Sequence, residues 1–423
     1  MESDNPVNRL KHCEQAFRLA GIAHAYEMLN LPEHLAQASK PHTLAAKLHL
    51  DPAALERFLN ATTFMGLTTK NQSDEFQHLH IINYSIEPTL MLIDLIEQNL
   101  PDKIYNNHNH TIEESDITND TSHQLLEKAV ENGLIDKTNS SHYRIFDELV
   151  PYLCSSGLMY IGPKLHHYKK IMLNTFAPET IINALKEGRS QWKIITGHED
   201  TSTAFNLYAS EPHLVEIFTR GIHRLNSEDN DKLCFKLKLA PHLKVLDIGG
   251  GSGAIAISLL KSTPSLQIYL YEHPDAIPLM KKILRDYADD KQLAQITYIS
   301  GNFLNDLNDE NLPGLSSNEK FSMICFAWIL HDWTDEVCIK LLKRAKNHLT
   351  ENGQLVIIEE ILPDSKVSQA SISDITMLLH TEGKERTFPE YKHLIIASGF
   401  KEKEIQYQPT DTRRQIIIIT QDD

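Results

Sequence analysis

The chain has 423 residues, 41% hydrophobic and 23% charged, the make-up of an ordinary globular protein long enough for two domains. Its 41 basic and 57 acidic side chains leave a net charge of −16, a poor match for nucleic acid or an anionic membrane surface. No apolar run reaches membrane-spanning length, no basic stretch followed by an apolar core opens the chain, and Cys13, Cys154, Cys234, Cys325 and Cys338 form no Cys-x-x-Cys pair. A reducing, cytoplasmic setting is expected, with neither a disulfide framework nor a zinc cage.

From the N-terminus, Leu10, Cys13, Phe17, Ala20, Ile22 and Ala23 form an apolar stripe that predicts a helix over 8–30, ended by Leu31-Pro32. Residues 35–77 read as two short helices, a helix opening at the capping pair Asp51-Pro52, then Phe64-Met-Gly-Leu and a polar turn at Asn71-Gln-Ser-Asp. This is the pattern of a winged helix-turn-helix. Such a unit can read DNA, but residues 51–150 hold 6 basic against 17 acidic side chains, and the helix after Asp51 offers only Arg57 as a cation. A dimerisation or substrate-lid scaffold is the better expectation. The stretch from His123 to Ile145 echoes Leu59 to Phe76: helix, Gly-Leu, polar turn, aromatic-bearing strand. It suggests a degenerate repeat or a second winged unit. Between the two, residues 106–122 are polar with two isolated isoleucines and read as a mobile loop, whose His108 and His110 are expected to be solvated rather than metal-bound. Helical patterns continue from Val150 through Asn226, and a shift in composition places a domain boundary near residue 228.

Strand and helix then alternate. Strands are predicted over 243–248, 266–272, 295–300, 321–327, 354–361, 403–408 and 413–420, with helices between them except between the third and fourth and between the last two. Alternation of this kind implies a doubly wound, mostly parallel α/β sheet with its ligand at the carboxyl ends of the strands. The last two strands are joined only by a short turn, so the final one is expected to run antiparallel. The first strand leads into Asp247-Ile-Gly-Gly-Gly-Ser-Gly253, where Gly249, Gly251 and Gly253 permit positive φ and leave bare backbone at the start of a helix. Asp247 ends that strand, and Glu272 ends the next one, 23 residues after Gly249, the place of an acid that grips a ribose. A nucleoside-type cofactor is expected, and the Gly-x-Gly-x-x-Ala spacing also fits a dinucleotide.

His331 follows the fourth strand, in Ala327-Trp-Ile-Leu-His-Asp-Trp-Thr, at the mouth of the crevice and just before a helix that Thr334 can cap. Glu359 and Glu385 fall later, at places that map to strand ends or adjacent helices, and a histidine flanked by carboxylates is the arrangement of an oriented general base. These features in order, together with Glu272-His-Pro274, Gly301-Asn-Phe303, Glu359 to Pro363, Gly383-Lys-Glu-Arg-Thr387 and Ala397-Ser-Gly-Phe400, make residues 200–420 resemble the S-adenosylmethionine-dependent O-methyltransferases of plant phenolics and bacterial polyketides. That family pairs a seven-stranded class I methyltransferase domain with an N-terminal winged-helix dimerisation domain.

The resemblance implies a helical domain over 1–227, with an insertion around 78–122, and a cofactor-binding domain over 228–423. It implies S-adenosyl-L-methionine as cofactor, a small-molecule acceptor and a homodimer. Gly249 and the glycines after it would line the methionine moiety, Glu272 would hold the ribose, and Asn302 and Phe303 would flank the adenine. His331 would take the acceptor's proton with Glu359 and Glu385 placing its ring, Met377 would belong to the substrate wall, and no metal is needed. Two positions depart from the family: Asn302 stands where Asp is usual, and Ala327 where many plant members carry Lys. The other readings are a non-methylating enzyme on the same fold, a nicotinamide dehydrogenase, which the closing hairpin disfavours, and a non-enzymatic winged-helix regulator.

Overall fold

The computed structural model describes residues 5–79, 85–107, 110–117, 119–138, 141–157, 160–197, 212–307 and 309–421. Helix α1 (Pro6–Met28) begins where the Asn5 side chain accepts the Val7 N–H, and its stripe of Leu10, Cys13, Phe17 and Ala20 is buried. A first winged unit follows. It holds a bridge between Ser39 and Phe76, then α2 (Pro41–Leu48), α3 (Pro52–Phe64), β1 (Thr68–Lys70) and β2 (Phe76–His78). Asp51 caps α3 by accepting the Ala54 N–H at 2.8 Å. After α3, Gly66 takes φ +80° and lets the Leu67 N–H reach the Thr62 carbonyl.

The same plan recurs. Beyond α4 (Glu87–Glu97) and α5 (Leu100–Asn106) come β3 (Thr111–Glu113), a 3-10 turn at Glu114–Asp116, α6 (Asp120–Glu131), β4 (Ile135–Thr138) and β5 (His142–Ile145). The strands order as β3-β5-β4, matching Ser39, β2 and β1 in the first unit. Gly133 at φ +66° lets the Leu134 N–H reach the Ala129 carbonyl, repeating the bond made after Gly66. The echo in the sequence is therefore a second unit built on the same plan of helix, glycine turn and paired strands. The loop expected over 106–122 is replaced in part by β3 and the start of α6. Ile112 is buried on β3, opposite Tyr143. A three-residue strand is too short to show a period, so only its pairing with β5 reveals it. His108 lies outside the described residues, and His110 stacks on Tyr105 with ring centroids 4.6 Å apart.

Helix α7 (Pro212–Lys236) leads into the large sheet, whose strands and covering helices are β6 (Lys244–Ile248), α8 (Ala254–Ser262), β7 (Gln267–Glu272), α9 (Ile277–Tyr287), β8 (Ile296–Ser300), β9 (Phe321–Ala327), α10 (Asp335–Asn347) and β10 (Leu349–Glu359). Beyond them come β11 (Ile361–Leu362), α11 (Gln369–His380), β12 (Arg386–Thr387), α12 (Phe388–Ala397), β13 (Ile405–Gln408) and β14 (Gln415–Thr420). The sheet order is β13-β14-β10-β9-β6-β7-β8, parallel throughout except that β14 runs antiparallel to both neighbours.

Successive residues of the central strands enter opposite cores. Leu246, Phe326, Leu355 and Ile417 face one layer, and Val245, Cys325, Val356 and Ile416 the other. Burial on both faces explains why these strands read as unbroken apolar runs. β6 pairs with β7 on one side and β9 on the other, so the chain diverges at their carboxyl ends and opens a crevice there. The strand predicted over 354–361 divides: β10 stops at Glu359, and β11 leaves the sheet to pair in parallel with β12, Ile361 against Arg386. Among the described residues no helix is long and apolar enough to cross a membrane.

Candidate active site

The glycine turn closes onto the loop after β9. Gly249 has φ +71°, and a Cβ added to it would lie 2.3 Å from Cδ1 of Ile329, two residues before His331. Gly251 has φ +55°, and its added Cβ would meet nothing nearer than the Gly249 carbonyl oxygen at 3.7 Å, so this part of the turn presents backbone to open space. Gly253 caps α8 against Leu284. The Glu272 carboxylate ties the turn to the end of β7, accepting the Gly251 N–H at 2.9 Å and the His273 N–H at 2.7 Å. Burial pushes Glu272 above the usual carboxylate range, and burial with Glu272 nearby pushes Asp247 up to about 7.

His331 sits in a one-turn 3-10 helix, Leu330–Asp332. Its Nδ1 lies 2.9 Å from Oε1 of Glu385 and 3.8 Å from Oε2 of Glu359, and its Nε2 lies 3.7 Å from Oδ1 of Asp332. Glu359 grips the loop rather than the ring, since its Oε1 accepts the N–H groups of Ile329 at 3.1 Å and Leu330 at 2.9 Å. The Arg386 guanidinium completes the frame, donating to the carbonyls of Leu330 and Trp333 and to Asp335. Burial alone would lower the His331 pKa, but Glu359, Glu385 and Asp332 outweigh it and hold the imidazole well above its ordinary value. When the ring is neutral, an Nδ1–H donated to Glu385 leaves the lone pair on Nε2, the tautomer a general base needs.

A cavity of about 410 Å³ joins these two regions. Of the residues singled out from the sequence, His331, Glu385, Gly249, Gly251, Glu272, Asn302, Phe303 and Met377 line it, whereas Glu359, Asp247 and Gly253 stand behind the wall. Asn302 closes a local turn by accepting the Leu304 N–H at 2.9 Å, and Phe303 meets Trp333 edge to face at 5.8 Å. Asn230 on α7 also lines the cavity, and its buried Oδ1 has no hydrogen-bond partner among the described residues.

Sequence reasoning singled out Met377 of α11 but missed the part of the cavity wall that comes from the N-terminal half and from the end of α11. Arg18, Lys164, His167, Tyr168 and His380 line it. Burial pushes His167 and His380 down to about 3, leaving both imidazoles neutral, and His380 Nε2 lies 2.7 Å from the Thr175 hydroxyl. No periodic signal marks these positions, because each belongs to a helix whose buried face reads as core. A second His-carboxylate group, Glu114, His123 and Glu127, lies in the second unit. There Lys137 answers the charge, its ammonium 2.5 Å from Glu127 and 3.6 Å from Glu114.

Comparison with known proteins agrees with this geometry. Residues 179–401 match the family model described as an O-methyltransferase domain. Mouse acetylserotonin O-methyltransferase is 28% identical over 223 residues, 52% of this chain and 55% of that protein. Caffeic acid 3-O-methyltransferase 3 of Populus kitakamiensis is 28% identical over 215 residues, 48% of this chain and 52% of that protein. The chain thus spans about half the length of the curated relatives it matches. The structure of human N-acetylserotonin methyltransferase in complex with SAM shares the fold, with a TM-score of 0.66 at 21% identity over 79% of this chain and 94% of that one. The matched model covers more than half of the 423 residues, from ahead of α7 through α12, and includes the glycine turn, His331, Glu359 and Glu385, so this chain belongs to the O-methyltransferase family.

Proposed function

We propose that the protein transfers a methyl group from S-adenosyl-L-methionine to a phenolic or enolic hydroxyl of a small molecule, with His331 as general base. The observation that carries this reading is the 2.9 Å contact of His331 Nδ1 with Glu385 in the same cavity as the glycine turn. The residues present suit the cofactor. Open backbone at Gly251 suits close approach of its methionine part, and the unpartnered Asn230 Oδ1 suits an ammonium donor. Glu272, Asn302 and Phe303 line the nucleoside side. Bound there, the cofactor supplies a methyl group already electrophilic on sulfur.

The chain's own task is then to hold the acceptor and remove its proton. A phenol at pKa about 10 facing an ordinary imidazole at about 6.5 makes full transfer uphill by roughly 5 kcal/mol. The carboxylates around His331 raise its basicity and narrow that gap. Glu385 fixes the ring, Glu359 fixes the loop, and Met377 on α11 forms part of the acceptor wall. In the same reading the helical N-terminal domain, residues 1–227, closes the cavity and joins two copies into a homodimer. The catalytic domain covers 228–423, and the protein works in the cytoplasm.

The test is calorimetric titration with S-adenosylmethionine, S-adenosylhomocysteine and NAD, followed by a screen of phenols for S-adenosylhomocysteine release. Binding of the two sulfur nucleosides but not NAD, and release that His331→Ala abolishes while cofactor binding persists, is the expected result. Binding of NAD alone, or undiminished release by His331→Ala, would overturn the reading.

A further inference from the structure

Helix α3 occupies the recognition-helix position of the first winged unit, and Arg57 is its only cation. In a nucleic-acid reader that side chain would turn outward to phosphate. Here it turns into the protein and grips Asp374 on α11. Its Nε donates to Oδ2 at 2.9 Å, and Nη2 donates to Oδ1 at 2.8 Å and to the Asp374 carbonyl at 2.7 Å. Two parallel N–H donors on one carboxylate make the pair directional as well as charged. The Asp374 side chain is 6% exposed and that of Arg57 20%, so water competes little for either.

Asp374 does more than pair. The Oδ1 that takes Arg57 also accepts the backbone N–H of Glu385 at 2.9 Å. Glu385 lies in the irregular stretch between α11 and β12, so this bond anchors it from one side while β12 anchors it from the other. Its carboxylate in turn takes Nδ1 of His331 at 2.9 Å. Arg57, Asp374, Glu385 and His331 thus form one unbroken chain of contacts, from the N-terminal winged unit to the proposed base.

We propose that Arg57 is a positioning residue for His331: through its bidentate grip on Asp374, the first winged unit sets where Glu385 presents its carboxylate to the imidazole. The inference rests on His331 being the base. Without Arg57, Asp374 is left a buried carboxylate stripped of its counter-ion. Its grip on the Glu385 N–H slackens, and Glu385 withdraws from the ring. The charged groups facing His331 are Glu359, Glu385 and Asp332. Only Glu385 is tied to Arg57 by the bonds described, so its withdrawal lowers the imidazole pKa while the other two remain.

The experiment follows the His331 imidazole by NMR of histidine-labelled full-length protein across pH, with its signal assigned by its loss in His331→Asn. Arg57→Ala should move the His331 midpoint down by about one pH unit. Arg57→Lys, which keeps the charge without the fork, should recover part of the shift. Affinity for S-adenosylhomocysteine, read by calorimetry, should stay within about twofold, because none of the four residues is placed at the cofactor's side of the cavity. If Arg57→Ala does not fold, Arg57→Lys and Asp374→Asn decide the matter by the same readout. A His331 midpoint that stays put in folded Arg57 variants would overturn the proposal, since a purely structural tie lowers stability without moving it. The failure of the base reading looks different: there His331→Ala itself would leave S-adenosylhomocysteine release intact.

Discussion

Glu359 controls His331 through the backbone, its Oε1 bonded to the N–H groups of Ile329 and Leu330 while its Oε2 stays 3.8 Å from the ring, which Glu385 holds at 2.9 Å. The two glutamates that look alike in the sequence therefore do different work. Glu385→Gln should leave the fold intact and reduce turnover about 10- to 100-fold, through a misplaced and less basic imidazole. Glu359→Ala leaves two buried N–H groups without an acceptor, and should lower stability by about 2–6 kcal/mol, since each such orphan costs about 1–3. Denaturant unfolding set beside S-adenosylhomocysteine release separates the two, and equal behaviour in both assays would contradict this division.

The pH profile should carry the mark of the three carboxylates around His331. In the proposed role His331 acts only when neutral, and its pKa is raised, so kcat/KM should climb with pH along a limb centred above 6.5, the midpoint of an ordinary imidazole. Activity is lost as pH falls through the raised pKa, because the ring is then already protonated. A limb centred at or below 6.5 would contradict the electrostatics described here.

Asp247 makes the opposite demand on stability. Its pKa is pushed from the usual range up to about 7 by burial and by Glu272, and its Oδ2 has no hydrogen-bond partner among the described residues. A group with a raised folded pKa binds its proton more tightly in the native state, so its contribution is full at low pH and is lost as pH rises from about 4 through 7. Asp247→Asn, which cannot ionise, should therefore gain thermal stability relative to the wild type at pH 8 more than at pH 5. Calorimetric scans of the cofactor-free protein at the two pH values check this.

Gly249→Ala should strike both halves of the site. The new Cβ meets Ile329 Cδ1 at 2.3 Å, at a residue with φ +71°, where an L side chain is strained by about 1–2 kcal/mol. Affinity for S-adenosylhomocysteine should fall at least tenfold, and the loop to His331 should shift. Adding Ile329→Ala removes the clash but not the strain, so the double variant should recover only part of the loss. Full recovery would mean that the turn tolerates a left-handed alanine.

Periodicity and helix caps made the large sheet and its covering helices legible. Strands such as Phe321–Ala327 and Gln415–Thr420 are apolar on both faces because both are covered, and helices such as Asp335–Asn347 announce themselves by a cap and an amphipathic stripe. The glycine turn and His331 were equally legible, since each follows a strand whose end the pattern locates. The second unit was visible as an echo of Gly-Leu and an aromatic strand, but β3 was not, being too short to have a period.

What the sequence determined by itself was therefore local: which segments are strand or helix, where glycine lets the backbone turn, and which residues sit at strand ends. What only the tertiary structure decided was pairing across distance. Nothing in the order of residues says that β11 leaves the sheet to lie beside β12, which carries Glu385 to the ring of His331, or that Arg57 reaches Asp374 more than 300 positions away. The reason is physical. A repeat of 2 or 3.6 residues records which face of an element is buried, whereas hydrogen bonds between charged side chains depend on how separate elements pack, and packing leaves no period in the chain.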